Sequence, residues 1–250
     1  MGLCQSRGSV ITGAAGGIGR AVAQSLLQRG DRVIAFDVEP STLAPADRLT
    51  IIRGDATNPA DVQRLAEAVS SLGGLHVLVN AVGAVCTGRF ETLTLDDWRV
   101  GFENNIVSAV QVIRALLPML RATRGDRVIV NLSSTLARVA DPDTIAYGTF
   151  KAALEHFTRT LALDLAPHHI RVVAVAPGPV SGTAADEQWA EDRFARLNPL
   201  GRFATPAEVA GVIAFLSSAD AQFITGSIYA IDGGDSALGI GWGSTPGLRP

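Results

Sequence analysis

The stretch Ser9-Val10-Ile11-Thr12-Gly13-Ala14-Ala15-Gly16-Gly17-Ile18-Gly19 decides the fold of this chain. Residues 9–12 predict a short buried strand, and residues 20–28 predict a helix that starts directly after the glycines. Glycines at such a junction let backbone N–H groups come close to a pyrophosphate, which the positive end of the helix attracts. The spacing is Gly-x-x-x-Gly-x-Gly, which either holds a dinucleotide or serves the turn alone.

The rest of the chain repeats this strand and helix unit. Further helices are predicted over residues 59–71, 94–118, 152–165 and 206–218. Further strands are predicted over residues 32–36, 49–52, 75–79, 127–132, 171–176 and 228–231. This alternation predicts an α/β fold of three layers, α/β/α, around a doubly wound sheet of seven mainly parallel strands. Ligands of such sheets bind beyond the carboxyl ends of the strands.

Composition and charge exclude several classes of protein. The chain has 250 residues, 47% of them hydrophobic and 18% charged, which suits one domain over residues 1–250. A net charge of −3 gives no electrostatic reason to expect nucleic acid or an anionic membrane as a partner. Two scattered cysteines predict neither a disulfide framework nor a metal site, and we expect a cytoplasmic protein. Residues 236–250 predict an irregular tail.

Two acidic residues follow the second and third strands. Asp37 lies 18 positions after Gly19, where a carboxylate accepts hydrogen bonds from both hydroxyls of an adenosine ribose. It would repel a 2′-phosphate, and the glycine turn contains no Lys or Arg to pair with one, so we predict NAD rather than NADP as the cofactor. Asp55 either caps the next helix or accepts a hydrogen bond from the adenine amino group.

Tyr147 and Lys151 stand four residues apart, so on a helix they share one face. A nearby cation favours the phenolate and lowers the pKa of a tyrosine, which prepares it to exchange a proton with an alcohol or carbonyl oxygen. By itself, however, this four-residue interval would also be found between two helix residues that have no chemical role. An apolar stripe makes the helix prediction firm; its members are Phe150, Ala153, Leu154, Phe157, Leu161 and Leu165.

Two more polar residues belong to neighbouring elements. Thr94 and Asp97 form a capping pattern that starts a helix through Trp98 and Phe102, and Asn105 lies beside its apolar stripe. Such an asparagine usually faces solvent or bonds to nearby backbone. Ser134 follows the strand over residues 127–132, at the edge where ligands are expected.

Together these residues resemble the short-chain dehydrogenase/reductase family, single-domain type, along nearly the whole chain. Ser134 lies 13 positions before Tyr147, and Asn105 lies seven after Trp98, as in the family. The residues that carry the resemblance are those at positions 12–19, Asp37, Asp55, Asn80-Ala81-Val82-Gly83, Asn105, Ser134, Tyr147, Lys151, Pro177-Gly178 and Asp232-Gly233-Gly234.

The resemblance implies a Rossmann-type oxidoreductase that moves a hydride between NAD and a secondary alcohol or ketone. In such an enzyme Tyr147 would be the general acid and base, and Lys151 would lower the pKa of Tyr147. Ser134 would bond the substrate oxygen, and Asn105 would support a water that relays protons. The cofactor residues that it implies are Gly13, Gly16, Gly17, Ile18, Gly19, Asp37, Asp55, Ala56, Asn80, Ala81, Tyr147, Lys151, Pro177, Gly178 and Val180.

The family also implies an assembly and a substrate loop. We expect a homotetramer, with the helices that carry Asn105 and Tyr147 at subunit contacts. The loop over residues 181–200 would cover the substrate, with Trp189, Phe194 and Leu197 either contacting it or packing on the domain. Phe90 and the tail residue Trp242 are further candidates to line the pocket.

A few positions depart from the family pattern. Ala81 stands where a second asparagine is usual, and Phe150 replaces a small residue, which predicts a core or subunit contact. Gly182 replaces a threonine that contacts the cofactor, and Ser181 or Thr183 would have to substitute. Arg138 stands where glycine is common and either meets an anionic substrate or is an exposed loop arginine.

Two other functions compete with the NAD-dependent enzyme. An NADPH-dependent reductase of ketones on an acyl carrier is disfavoured by Asp37. A catalytically idle NAD-binding sensor or assembly protein would keep the cofactor residues and lose the catalytic ones, whereas Asn105, Ser134, Tyr147 and Lys151 are all present. A methyltransferase would share a glycine turn but would have no use for the serine, tyrosine and lysine.

Overall fold

Seven parallel strands form one sheet in the computed structural model, which describes residues 6–39, 42–182 and 198–238. Across the sheet they lie in the order β3-β2-β1-β4-β5-β6-β7. The strands are β1 (Gly8–Thr12), β2 (Arg32–Asp37), β3 (Leu49–Arg53), β4 (Val77–Asn80), β5 (Arg127–Leu132), β6 (Ile170–Pro177) and β7 (Ile228–Ile231). The strand order reverses between β1 and β4, and a ligand crevice is expected at that point of the carboxyl edge. The predicted doubly wound α/β fold is confirmed, and the sheet is entirely parallel.

Helices cover both faces of this sheet. They are α1 (Gly17–Arg29), α2 (Pro59–Val69), α3 (Leu95–Ala122), α4 (Ile145–Leu165) and α5 (Pro206–Leu216). One apolar cluster joins the sheet to α2, α3 and α4 through side chains such as Leu65, Leu116 and Leu165. A second cluster joins the other face to α1 and α5 through Leu26 and Ile213. The predicted three layers are thus present.

Two helix starts differ from the prediction. The glycines at positions 17 and 19 belong to α1, which begins three residues earlier than predicted because Gly16 takes the extended conformation of an N-cap. Helix α4 begins at Ile145 and includes Tyr147 and Lys151, so the motif and the apolar stripe form one rigid element. The strand β4 begins two residues later than predicted.

The helix α3 is long and apolar enough to cross a membrane, but its apolar side is the one that covers the sheet. Val112, Leu116 and Leu120 are buried there, as expected of a core helix. The helix contains a π-helical turn at Glu103–Val107, which the sequence did not predict. Thr94 and Asp97 form the predicted capping box.

The apolar stripe of α4 is only partly where the sequence placed it. Leu154 and Leu165 are buried, but Ala153 is exposed, because Lys151 points inward and Ala153 stands about 200° further round the helix. Phe102 of α3 is 45% exposed, although the sequence placed it in a buried stripe.

Phe150 lies in the core, which is one of the two positions predicted for it. Its ring meets those of Trp98 and Phe102 edge-on, with centroids 5.5 and 6.0 Å apart. A Cβ atom at Gly101 would lie 2.7 Å from the Phe150 ring, so the large residue at position 150 requires the small one at 101. The contact fixes α3 against α4.

Candidate active site

The predicted site residues lie at or just beyond the carboxyl edge of the sheet, in the loops and helices that follow the strands. The glycine turn follows β1, Asp37 ends β2, Asn80 ends β4 and Ser134 follows β5. Segments far apart in the sequence are therefore neighbours in space, as the parallel topology requires.

The glycine turn is tight because of close backbone approaches. Gly13 has a left-handed conformation with φ of 68°, and a Cβ atom there would lie 2.6 Å from the carbonyl oxygen of Ala81. A Cβ atom at Gly19 would collide with the carbonyl oxygen of Gly13, whereas one at Gly16 would make an ordinary contact at 3.5 Å. The first N–H groups of a helix have no partner within it, so the start of α1 at Gly17 offers donors to an anion.

The carboxylate of Asp37 is held beside this turn. Its two oxygens accept hydrogen bonds from the backbone N–H of Ala15, at 2.8 Å, and of Glu39, at 3.0 Å. Arg53, the register partner of Asp37 on β3, donates to the carbonyl oxygen of Val38. Spacing along the chain does not predict this neighbour of Asp37, because strand order across the sheet cannot be read from it.

Asp55 does not cap α2, so that interpretation was wrong. Asn58 is the N-cap and accepts from the backbone N–H of Ala60 at 2.9 Å. One oxygen of Asp55 accepts from the N–H and the hydroxyl of Thr57, while its other oxygen has no hydrogen bond within the described residues. The adjacent Ala56 is buried in the core.

Asn80 begins a row of buried polar side chains. It donates to Asn131 at 2.9 Å, and Asn131 donates to the Thr158 hydroxyl of α4, also at 2.9 Å. The side-chain oxygen of Asn80 is buried without a partner among the described residues. The N–H of Ala81 donates to Thr12, which joins the ends of β1 and β4.

The segment after β6 turns back towards β7. The N–H of Gly178, which follows Pro177, donates to Ile231, and Val180 forms a bridge with Ala204. Gly182 has a φ of 77°, which favours glycine over the threonine of the family pattern. Thr183, Trp189, Phe194, Leu197 and Trp242 lie outside the described residues.

Asn105 is buried inside the π-helical turn of α3. Its amide nitrogen donates to the carbonyl oxygens of Gly101, at 2.9 Å, and Ala84, at 3.0 Å. Its side-chain oxygen has no partner among the described residues. A Cβ atom at Gly83 would lie 2.8 Å from Lys151 Nζ and 2.9 Å from this oxygen, so the glycine keeps space open between the two polar groups. A water there would have two ready partners.

Tyr147, Ser134 and Lys151 meet at the start of α4. The phenol of Tyr147 lies near the side chain of Ser134, and hydrogen bonding from that side chain favours the phenolate. Lys151 Nζ stands 5.4 Å from the Tyr147 ring centroid and donates to the carbonyl oxygen of Leu132 at 2.9 Å. Lys151 is only 2% exposed. The shared helix face of the tyrosine and the lysine thus brings a phenol, a hydroxyl and a cation into one region.

The pKa of Tyr147 departs from the sequence prediction. Burial raises the pKa of Tyr147 above its ordinary value, and the hydrogen bond with Ser134 opposes that rise. The predicted lowering is not seen, because burial penalises the phenolate more than its neighbours stabilise it. Burial also lowers the pKa of Lys151 to about 8, since the ammonium has lost most of its water.

Two arginines near the site form ion pairs with acidic residues. Arg138 meets the buried carboxylate of Glu155, with a distance of 3.2 Å between Nε and Oε2, which neither earlier interpretation foresaw. Arg89 pairs with Asp143 and joins the loop after β4 to the loop before α4. Phe90 is exposed on the first of these loops. No cluster of three or more potential metal ligands occurs in the described part of the chain.

Comparison with known proteins identifies the family of this chain. The family profile described as enoyl-(acyl carrier protein) reductase matches residues 13–236. The chain belongs to the short-chain dehydrogenase/reductase family. It is similar to cis-4-hydroxycyclohexanecarboxylate dehydrogenase of Sinomonas cyclohexanicum, at 36% identity over 93% of this chain and 97% of the relative.

Solved structures of the family agree with this fold. Ligand-free aldohexose dehydrogenase of Thermoplasma acidophilum has a TM-score of 0.87 at 30% identity, over 94% of this chain and 96% of that one. The 3-ketoacyl-(acyl-carrier-protein) reductase of Brucella melitensis, complexed with NADH, has a TM-score of 0.84 at 28% identity. The match covers 93% of this chain and 99% of that one. The chain is an oxidoreductase of a family that uses a nicotinamide cofactor, NAD or NADP.

The residues fit such a cofactor on structural grounds. The N–H groups of the first turn of α1, from Gly17 onward, have no partner within the helix, and Asp37 stands beside the glycine turn with a fixed carboxylate. The unpartnered oxygen of Asn105 and the space kept by Gly83 lie next to Lys151. The site thus combines donors that suit a diphosphate, a carboxylate beside them, and a phenol next to a buried ammonium.

Proposed function

We propose that this chain is an NAD(H)-dependent dehydrogenase or reductase of secondary alcohols and ketones, with Tyr147 as general acid and base. The observation that carries the proposal is the meeting of Tyr147, Ser134 and Lys151 at the carboxyl edge of the sheet. Two similar proteins support the substrate class, since one is named a dehydrogenase of a hydroxycyclohexanecarboxylate and the other of an aldohexose.

Each catalytic residue has a distinct task in this proposal. Ser134 holds the substrate oxygen by a hydrogen bond, and Tyr147 gives that oxygen a proton in reduction or removes one in oxidation. Lys151 supplies a positive charge close to the phenol, which favours the phenolate. Asn105 holds a water beside Lys151, through which protons reach solvent. A bound nicotinamide supplies or accepts the hydride.

The proposed cofactor is NAD. Asp37 supports this choice, because its carboxylate stands beside the glycine turn and would repel a 2′-phosphate. The glycine turn would hold the pyrophosphate, and the free oxygen of Asp55 is available to the adenine amino group. Asn80, Ala81, Pro177, Gly178 and Val180 would line the remainder of the cofactor crevice, and Ala56, whose side chain is in the core, would contribute its backbone.

We further propose that residues 1–250 act as one cofactor-binding and catalytic unit in a cytoplasmic homotetramer. Exposed apolar side chains on the helices expected at subunit contacts support the assembly. Leu163 of α4 is 78% exposed, and Leu95 and Phe102 of α3 are also exposed. A small alcohol or ketone is the expected partner of the site.

The first experiment is titration of the purified protein with NADH and with NADPH, followed by turnover on a panel of alcohols and ketones. We expect tighter binding of NADH and turnover of at least one member of the panel. Tyr147→Phe should reduce that turnover by a factor of about 1,000, since it removes the proton-transfer group. NADH should still bind the variant nearly as tightly, and substantial residual turnover would remove Tyr147 from the acid and base role.

A second candidate is reduction of ketones carried on an acyl carrier protein. The name of the Brucella melitensis enzyme favours it, and the family description shares with that name the acyl carrier protein but not the ketone. It predicts activity on acetoacetyl thioesters, whereas the first candidate predicts activity on free secondary alcohols. The catalytically idle alternative predicts NADH binding without turnover of either class.

A further inference from the structure

Glu155 is a buried carboxylate in α4, one turn after Lys151. Its side chain is 4% exposed, and three side chains meet it. Ser133 Oγ donates to Oε1 at 3.3 Å, whereas Arg138 Nε and an Arg159 nitrogen donate to Oε2 at 3.2 and 3.4 Å. A buried carboxylate is costly without such partners, so these contacts restrain each other's positions.

Two of the three partners belong to the loop that follows β5. This loop carries Ser134, and its neighbour Ser133 also bonds the carbonyl oxygen of Lys151 at 3.4 Å. A Cβ atom at Gly148 would lie 2.7 Å from the carbonyl oxygen of Leu136, so the backbones of the loop and of α4 touch. The loop with the substrate-binding hydroxyl is therefore held against the helix with the proton-transfer group.

We propose that Arg138 and Glu155 are positioning residues, whose ion pair sets the placement of Ser134 relative to Tyr147. The inference rests on the proposed function, because it assigns the pair a task in that reaction. Catalysis of this kind depends on near-attack geometry, and a displacement of about 1 Å can cost up to about 100-fold in rate. An ion pair with a buried carboxylate restrains the loop more firmly than an exposed one would.

The pair also affects the proton-transfer group indirectly. Burial raises the pKa of Tyr147, and the hydrogen bond with Ser134 holds that rise back. If Ser134 moves away, the pKa of Tyr147 rises further. Alcohol oxidation needs the phenolate, so the acid limb of its pH profile would then move to higher pH.

Arg159 provides a matched control. It contacts the same oxygen of Glu155 as Arg138 does, but it lies four residues away on the same helix. Replacing either arginine by glutamine removes one positive charge from the same carboxylate. Only Arg138→Gln also releases the loop.

The experiment compares Arg138→Gln, Arg159→Gln and Glu155→Gln in the full chain with a substrate from the alcohol panel. We expect Arg138→Gln to lower kcat/KM for the alcohol about tenfold, with its pH profile moved to higher pH and an unchanged Kd for NADH. Amide hydrogen exchange over residues 134–139 should become faster. Arg159→Gln should stay within about twofold of the parent in each measurement.

Two further variants test the pairing itself. Arg138→Lys keeps the charge and should recover most of the lost activity. The double variant Arg138→Gln with Glu155→Gln should be no worse than Arg138→Gln alone, because the two side chains act as one unit.

Equal behaviour of Arg138→Gln and Arg159→Gln would overturn the proposal and leave the pair a purely structural role. The same conclusion follows if Arg138→Gln loses activity with no change in exchange or pH profile. The exchange measurement needs no turnover, so it separates failure of this inference from failure of the proposed function, which Tyr147→Phe tests.

Discussion

At the scale of single residues, the site combines a buried cation with a partly buried tyrosine. The ammonium of Lys151 donates to the carbonyl oxygen of Leu132 and faces the Tyr147 ring, and burial lowers its pKa to about 8. The charged form is still the main one at pH 7, so the protein keeps a positive charge where solvation is poor. A buried charge of this kind costs stability, and the proposed catalytic role of Lys151 would explain why it is kept.

Lys151→Met should therefore stabilise the protein while it abolishes turnover. The pKa of Lys151 falls from 10.5 to about 8, so the unfolded chain binds more protons between these values. The free energy of unfolding should thus rise with pH from about 8 to about 10.5 in the parent protein, and this rise should be absent in the variant.

At pH 7 the free energy of unfolding of Lys151→Met should exceed that of the parent by about 2 kcal/mol. One pKa unit corresponds to about 1.4 kcal/mol, and the loss of the hydrogen bond to the Leu132 carbonyl offsets part of the gain. Urea denaturation at pH 7 and pH 10 measures both effects. A variant less stable than the parent at pH 7 would contradict this view of Lys151.

Asp37 decides the cofactor in the proposed function. Asp37→Ala should weaken NADH binding about tenfold and reduce the preference for NADH over NADPH, because it removes both the ribose acceptor and the negative charge. Asp37→Asn is the matched control, since an amide oxygen can still accept from the Ala15 N–H. Titration with both dinucleotides measures the ratio of Kd values. An unchanged ratio in Asp37→Asn would show that the charge does not select the cofactor.

At the scale of elements, the glycine turn shows which parts of a motif are sterically required. A Cβ atom at Gly19 would collide with backbone, which cannot move aside, whereas one at Gly16 would make an ordinary contact. The two glycines look alike in the sequence, and only the path of the backbone separates them.

Gly19→Ala should lower the free energy of unfolding by about 3 kcal/mol, as overpacking of a rigid site does. Gly16→Ala should change it by less than about 1 kcal/mol, because alanine fits there and the cost is that of a poorer N-cap. Urea denaturation of both variants provides the comparison. Equal stability of the two would mean that the turn can relax around an added methyl group.

The helix α3 shows how an element can be predicted well at its start and incompletely in its middle. The capping box of Thr94 and Asp97 is a local pattern, and it begins the helix where expected. The π-helical turn at Glu103–Val107 depends on distant partners, since Asn105 bonds Ala84 and Phe150 packs over Gly101. Such turns are frequent at functional sites.

At the scale of the whole molecule, ion pairs bind the amino-terminal edge of the sheet, opposite to the site. Arg7 and Arg171 contact Asp126, while Arg29 meets Asp31. All three arginines also donate to carbonyl oxygens at the end of α5, where positive charge is favoured. The interactions at this edge stabilise the fold, whereas the proposed reaction takes place at the carboxyl edge.

The proposed tetramer can be tested on the exposed face of α4. Leu163→Glu should convert the tetramer to smaller species, because a charge would replace apolar surface at the expected contact. Ile51→Glu is a suitable control, since Ile51 is also exposed but lies on the edge strand β3. Sedimentation velocity distinguishes the species. A tetramer that persists in Leu163→Glu would place the subunit contact elsewhere.

The sequence alone determined the features that depend on local spacing. Hydrophobic period and turn residues predicted the seven strands, and the parallel topology then placed Asp37, Asn80 and Ser134 at one edge. The four-residue interval between Tyr147 and Lys151 predicted a shared helix face, because helix geometry is the same in every chain.

Only the tertiary structure decided features that depend on burial and on contacts between distant segments. The direction of the Tyr147 pKa shift follows from how deeply the phenol is buried, and spacing does not reveal depth. Asn58, not Asp55, caps α2, and Arg138 meets Glu155, because backbone paths choose among several suitable polar partners. Local rules name the residues that can interact, whereas packing in three dimensions selects the pairs that do.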